Sequence, residues 1–257
     1  MEKKGRAVVL ALGAFFVMAF VQSMCMALLS ELWGPEQAQA GQTLVLGLSA
    51  IIVTALLALA DKTLPQPVLR PVMRVSTDGL TAAVCALLGA AANCTLSAGL
   101  SLASLNEQLL AEYTQAVPMG KGATLWLELA AYCLLIPVME EMLFRGFILD
   151  VLRQAFPLAA AAGLECLIFA WGHGQVLWFL YALAMGGVLT WLRLKTGSLY
   201  APIAFHIAFN GANYLQPWLY SAAGENRQGL VVLFLAGLLV CLCTAVALMG
   251  LWRKDRG

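Results

Sequence analysis

The sequence predicts an all-α, polytopic membrane protein of about eight transmembrane helices, and three observations carry that reading. Hydrophobic residues make up 61% of the 257 residues. Charged residues make up only 11%, against roughly a quarter in soluble domains. Apolar stretches long enough to cross a hydrocarbon core, roughly 20 helical residues, recur along the chain between polar or Pro/Gly breaks.

The first apolar run, Ala7 to Ser30, follows Lys3, Lys4 and Arg6. It exceeds the roughly 7 to 15 residues of a signal-peptide core. It is therefore expected to be an uncleaved span, despite the faintly peptidase-like Ala38-Gln39-Ala40 downstream. Further spans are predicted over 42–60, 79–104, 124–149, 157–173, 175–195, 198–218 and 229–252, the fifth and sixth being short. No internal repeat is visible and no loop is long enough for a separate soluble domain, so function must reside among the helices.

Lysine and arginine sort by side under this count. Lys3, Lys4, Arg6, Lys62, Arg70, Arg74, Arg153, Arg193, Lys195, Arg253, Lys254 and Arg256 fall on one side, and Lys121 and Arg227 on the other. The positive-inside rule then predicts that both termini are cytoplasmic and that the protein is a multi-pass resident of the cell membrane. A net charge of +1 argues for neither a nucleic acid nor a polyanionic partner. The seven cysteines lie in apolar runs without CxxC or metal-type spacing, and read as small buried hydrophobes.

Ionisable residues inside spans are costly and mark pairs, pathways or sites. Here they are Glu128, Glu140, Glu141, Arg145, Glu165, His173 and His206, with Asn210 beside them. Glu141 and Arg145 are four apart, acid first, the favourable order for an ion pair on one helix face. Glu140 lies about 100° around the helix without that partner. Spacing alone leaves two readings open: a structural salt bridge with a second acid meeting a neighbouring helix, or an acid reserved for chemistry. Pro137 just upstream is expected to free the carbonyl of Cys133.

The only two histidines both fall in apolar context. If spans four and five turn at Phe156-Pro157, Glu140 and His173 both lie roughly 24 Å from that turn and are level with each other. His206 and Asn210 share one helix face at i, i+4. They match this depth only if the base of the four-five hairpin, with Asp150, Arg153 and Gln154, projects into the cytoplasm. Glu165 and Glu128 are expected to be structural contacts. Gly186-Gly187 is expected to permit close helix approach.

An acid withdrawn from water, two imidazoles and a carboxamide suit water-mediated hydrolysis. Glu140 and His173 can activate water, while His206 and Asn210 can donate to the oxyanion formed at an attacked carbonyl. A second arrangement places Zn²⁺ on Glu140, His173 and His206 with a position open for water. There is no HExxH motif, and zinc would compete with the base and oxyanion roles.

Glu140-Glu141-x-x-x-Arg145, then Phe169-x-x-x-His173, then His206-x-x-x-Asn210, in that order on successive spans, resembles the CPBP family of intramembrane proteases. That family includes type II CAAX prenyl endopeptidases and bacteriocin-processing or immunity-associated relatives, formerly the Abi family. The resemblance covers residues 124 to 215. It implies an eight-helix core around an intramembrane active site, Glu140 and His173 as the water-activating pair, and His206 and Asn210 as the oxyanion side. Glu141 and Arg145 are implied as supporting residues. Family members are often labelled metalloproteases; the roles above fit a metal-free, glutamate-dependent mechanism better.

On this reading one integral membrane domain comprises N-terminal helices over 1–123, a CPBP-type catalytic core over 124–218, and a last helix with a basic tail over 219–257. The implied partners are the lipid bilayer and a membrane-associated protein or peptide substrate, of CAAX type or a small bacteriocin-like peptide. A non-catalytic immunity or scaffold protein is the alternative. A small transporter is less favoured, because no inverted repeat or paired broken helices are visible.

Overall fold

The computed structural model describes residues 2–34, 36–37, 41–64, 66–103 and 123–254, and every regular element among them is helical. The helices are α1 Glu2–Trp33, α2 Gln42–Thr63, α3 Leu69–Arg74 and α4 Gly79–Leu102. They continue with α5 over 125–153, α6 Leu158–Trp171, α7 Val176–Thr196, α8 Tyr200–Ala212, α9 Gln216–Ala222 and α10 Arg227–Lys254. Among the described residues α1, α2, α4, α7 and α10 are long and apolar enough to cross a membrane. The protein is thus an all-α polytopic membrane protein. Ala38, Gln39, Ala40 and Lys121 lie outside the described residues.

Two expectations about the spans change. The predicted seventh span, 198–218, is two helices, α8 and α9, joined by a turn over 213–215. Pro217 follows that turn at the start of α9, where its missing N–H costs nothing but its ring disfavours helical backbone before it. The fifth span, α6, has only 14 residues. At about 1.5 Å per residue it is shorter than a hydrocarbon core, so the turn carrying His173 is held at depth by its neighbours.

The helix α5 is continuous but contains two π-turn stretches, Leu129–Leu135 and Met142–Ile148, flanking Ile136–Glu141. This changes the expected effect of Pro137. In α-register the carbonyl facing residue 137 would be that of Cys133. In π-register the bond runs from i+5, as the Ile136 N–H to Ala131 carbonyl bond does. The carbonyl left without a backbone donor is then that of Tyr132.

Close packing sets the helix register. An added Cβ on Gly89 of α4 would lie 2.2 Å from the Phe205 carbonyl oxygen of α8, so only glycine allows that approach. Gly186 on α7 lies against Phe169 and Arg145, whereas Gly187 faces open space, so the expected close approach belongs to Gly186 alone. Lys3 and Arg6 of α1, Leu64 and Gln66 after α2, and Gln154 after α5 line one cleft. Asp78 before α4, Lys195 and Thr196 of α7, and Trp252 of α10 line another. The helix ends that carry most of the described lysines and arginines therefore gather at one end of the bundle.

Candidate active site

Asp150 of α5 accepts from Arg193 of α7 at 3.0 Å. This pair levels the two halves of the core. Glu140 lies ten residues, roughly 15 Å, before Asp150, and the 3.6 Å approach of His206 Nε2 to Glu140 Oε2 puts the imidazole at the same depth. The chain runs on past Asp150 to its turn at Phe156-Pro157.

One buried network anchors the site. Arg145 is fully buried and its guanidinium donates to Glu141 Oε1 at 3.1 Å, within α5. Its Nε lies 3.3 Å from Glu165 Oε1 on α6. Another of its nitrogens donates to the Gly186 carbonyl at 3.3 Å. The guanidinium also sits over the Phe169 ring, 4.2 Å from the centroid, a desolvated cation–π contact. Glu165 is fixed in turn by the Thr190 hydroxyl at 2.6 Å. An unpaired charge here would cost several kcal/mol, which explains why the acids and the arginine come together.

His206 connects this network to the cavity. Its Nδ1 lies 2.8 Å from Glu141 Oε1, while its Nε2 lies 3.6 Å from Glu140 Oε2. Glu141, Glu165, Arg145 and His206 form one buried cluster. Glu140 is the remaining acid, with 18% of its side chain exposed against none for Glu141.

Glu140, His173, His206 and Asn210 all line one cavity of about 280 Å³. His173 lies in the turn between α6 and α7, where Gly174 takes φ 75°, and its Nδ1–H donates to the Phe169 carbonyl at 2.9 Å. That bond leaves Nε2 of the neutral ring as an acceptor. Asn210 donates one amide hydrogen to the Tyr132 carbonyl at 2.8 Å, so the carbonyl that Pro137 orphans is satisfied from α8. Its second amide hydrogen is available.

The structure rearranges two expected pairings. Glu140 makes no hydrogen bond to His173; its nearer imidazole is His206, because α8 packs closer to this face of α5 than the α6–α7 turn does. Glu141 is shared between Arg145 and His206 rather than belonging to Arg145 alone. Glu165 is a structural contact as expected, and its partner is Arg145. Glu128 is buried and accepts from the Tyr214 hydroxyl at 3.1 Å.

Spacing had not identified Gln22, Asn93 and Asn213 as cavity residues. Asn93 and Asn213 hydrogen-bond to each other at 3.1 Å, and Gln216 donates to Asn93. The readable signal was a carboxamide in the middle of an apolar span, the same anomaly that marked the acids. Among the described residues no group of three His, Cys, Asp or Glu side chains is placed to hold one metal ion. The donor set of Glu140, His173 and His206 thus does not fit zinc in this arrangement.

Fold and site together define a polytopic membrane protein with a polar cavity built inside its helices. Residues 122–212 match the family model described as type II CAAX prenyl endopeptidase Rce1-like. Over those residues the chain is similar to the CPBP type of intramembrane protease. No curated protein and no solved structure matches the chain.

Proposed function

We propose that this protein is an intramembrane endopeptidase that hydrolyses a peptide bond of a membrane-associated protein or peptide with water activated at Glu140. The observation that carries this is that Glu140 is the one carboxylate among the described residues lining the cavity, which it shares with His173, His206 and Asn210.

Water held between Glu140 and the free Nε2 of His173 loses a proton to the Glu140 carboxylate as its oxygen attacks the peptide carbonyl carbon. The developing oxyanion accepts from the second Nδ2–H of Asn210 and from Nε2–H of His206. Collapse of the tetrahedral adduct breaks the C–N bond, and Glu140 returns the proton to the leaving amine. Glu141 and Arg145 are positioning residues: Glu141 orients the His206 ring, and Arg145 holds Glu141. Met18, Leu46, Ile136, Phe144 and Phe209 give the cavity an apolar wall suited to apolar side chains beside the scissile bond.

The test is cleavage of a peptide library by purified protein in liposomes. Glu140→Gln and His206→Ala are each expected to lower turnover by about 10² to 10⁴-fold with helical content unchanged. Well-folded variants that cleave as the parent does would refute the assignment.

A further inference from the structure

Four carboxamides line the cavity: Gln22, Asn93, Asn210 and Asn213. Three are tied into the protein. Asn210 donates to the Tyr132 carbonyl, Asn93 donates to Asn213 and accepts from Gln216, and Asn213 donates to the Asn210 carbonyl at 3.1 Å. Gln22 has no hydrogen-bond partner among the described residues. It sits inside the apolar run Ala7 to Ser30 of α1, where a carboxamide is costly unless something pairs with it. The protein's own contacts do not account for it.

The depth of Gln22 follows from α1 and α5 running antiparallel. Lys3 and Arg6 of α1 share a cleft with Val151 and Gln154 at the end of α5, and the Phe15 and Phe144 rings meet with centroids 6.4 Å apart. Gln22 is seven residues past Phe15 and Glu140 four before Phe144, so they lie roughly 10 Å and 6 Å from that contact in the same direction. Gln22 is therefore roughly 4 Å beyond the level of Glu140, about one residue of an extended chain at about 3.3 Å per residue. Between Glu140 and Asp150 the helix is solidly packed, residues 141–149 being buried, so the free space beside Glu140 lies on the Gln22 side.

We propose that Gln22 is a substrate-binding residue, whose Oε1 accepts from a backbone N–H and whose Nε2 donates to a backbone carbonyl of the peptide next to the scissile bond. This rests on the protease reading. A carboxamide pairs with backbone groups only where they are free, and inside an α-helix both are already spent. The bound segment is therefore extended beside the scissile bond. Substrates that Gln22 favours are those that give up helix readily there, through glycine, proline or β-branched residues.

Gln22→Met keeps the side-chain length and removes both hydrogen-bonding groups, and Gln22→Leu, carried in parallel, guards against one variant misfolding. Both are assayed in liposomes on a library peptide that the parent cleaves, and on the same peptide with single backbone amides beside the scissile bond replaced by esters, which lack the N–H. The variants are expected to raise KM by about 3 to 10-fold, with kcat and thermal midpoint those of the parent. At one position the ester should cost the parent a similar factor and cost the Gln22 variants nothing. An unchanged KM in the well-folded variants, or ester losses equal in parent and variants at every position, overturns the proposal and leaves the protease reading standing. A parent that cleaves no peptide of the library refutes both.

Discussion

Glu140 and Glu141 are neighbours in sequence with opposite physical situations. Glu141 is fully buried, with Arg145 and His206 on one oxygen; Glu140 faces the cavity. Their amide variants should therefore separate. Glu141→Gln removes the carboxylate that pairs with Arg145 and holds the His206 ring, and is expected to destabilise the fold by about 3 to 5 kcal/mol, read as a lower thermal midpoint in detergent. Glu140→Gln is expected to keep the midpoint and lose turnover. Equal loss of stability in both would mean that Glu140 is structural too. Asn210 is also divided, with one amide hydrogen on the Tyr132 carbonyl and the other free. Asn210→Ala should cost about 10² to 10³-fold in turnover if the free hydrogen serves an oxyanion.

The interrupted register of α5 couples two helices. Because Pro137 leaves the Tyr132 carbonyl without a backbone donor, α8 must supply one, and Asn210 does so. Restoring an N–H with Pro137→Ala should make Asn210→Ala less destabilising without recovering its turnover. A double-mutant cycle on thermal midpoint checks this, and strict additivity would argue against the shared carbonyl. The contact between α4 and α8 is the second control on the site. Gly89→Val has no room against the Phe205 carbonyl, next to His206. It should displace α8, costing at least about 1 to 3 kcal/mol and turnover together, measured on the same purified sample.

At the scale of the whole molecule, a solid half beneath a hollow half holds buried charge in the membrane. The buried cluster of Glu141, Arg145, Glu165 and His206 lies at the boundary, with Glu140 and His206 on the cavity wall. The proposed mechanism predicts that active protein contains no stoichiometric zinc on elemental analysis. It also predicts that chelator treatment leaves turnover unchanged. Zinc at one per chain whose removal stops cleavage would reverse that expectation.

The sequence by itself determined the helices, the acids and imidazoles that do not belong in lipid, and the Glu141–Arg145 pair. Those properties follow from composition and from the fixed rise and rotation of one helix. Only the tertiary structure decided that Glu140 meets His206 before His173, that Glu165 completes the arginine's partners, and that Asn93, Gln22 and Asn213 reach the cavity. It also moved the carbonyl freed by Pro137 from Cys133 to Tyr132. These depend on the register and rotation of one helix against another, set here by a π-turn, by the glycine contact at Gly89 and by the Asp150–Arg193 pair. None of those can be computed from spacing along a single helix.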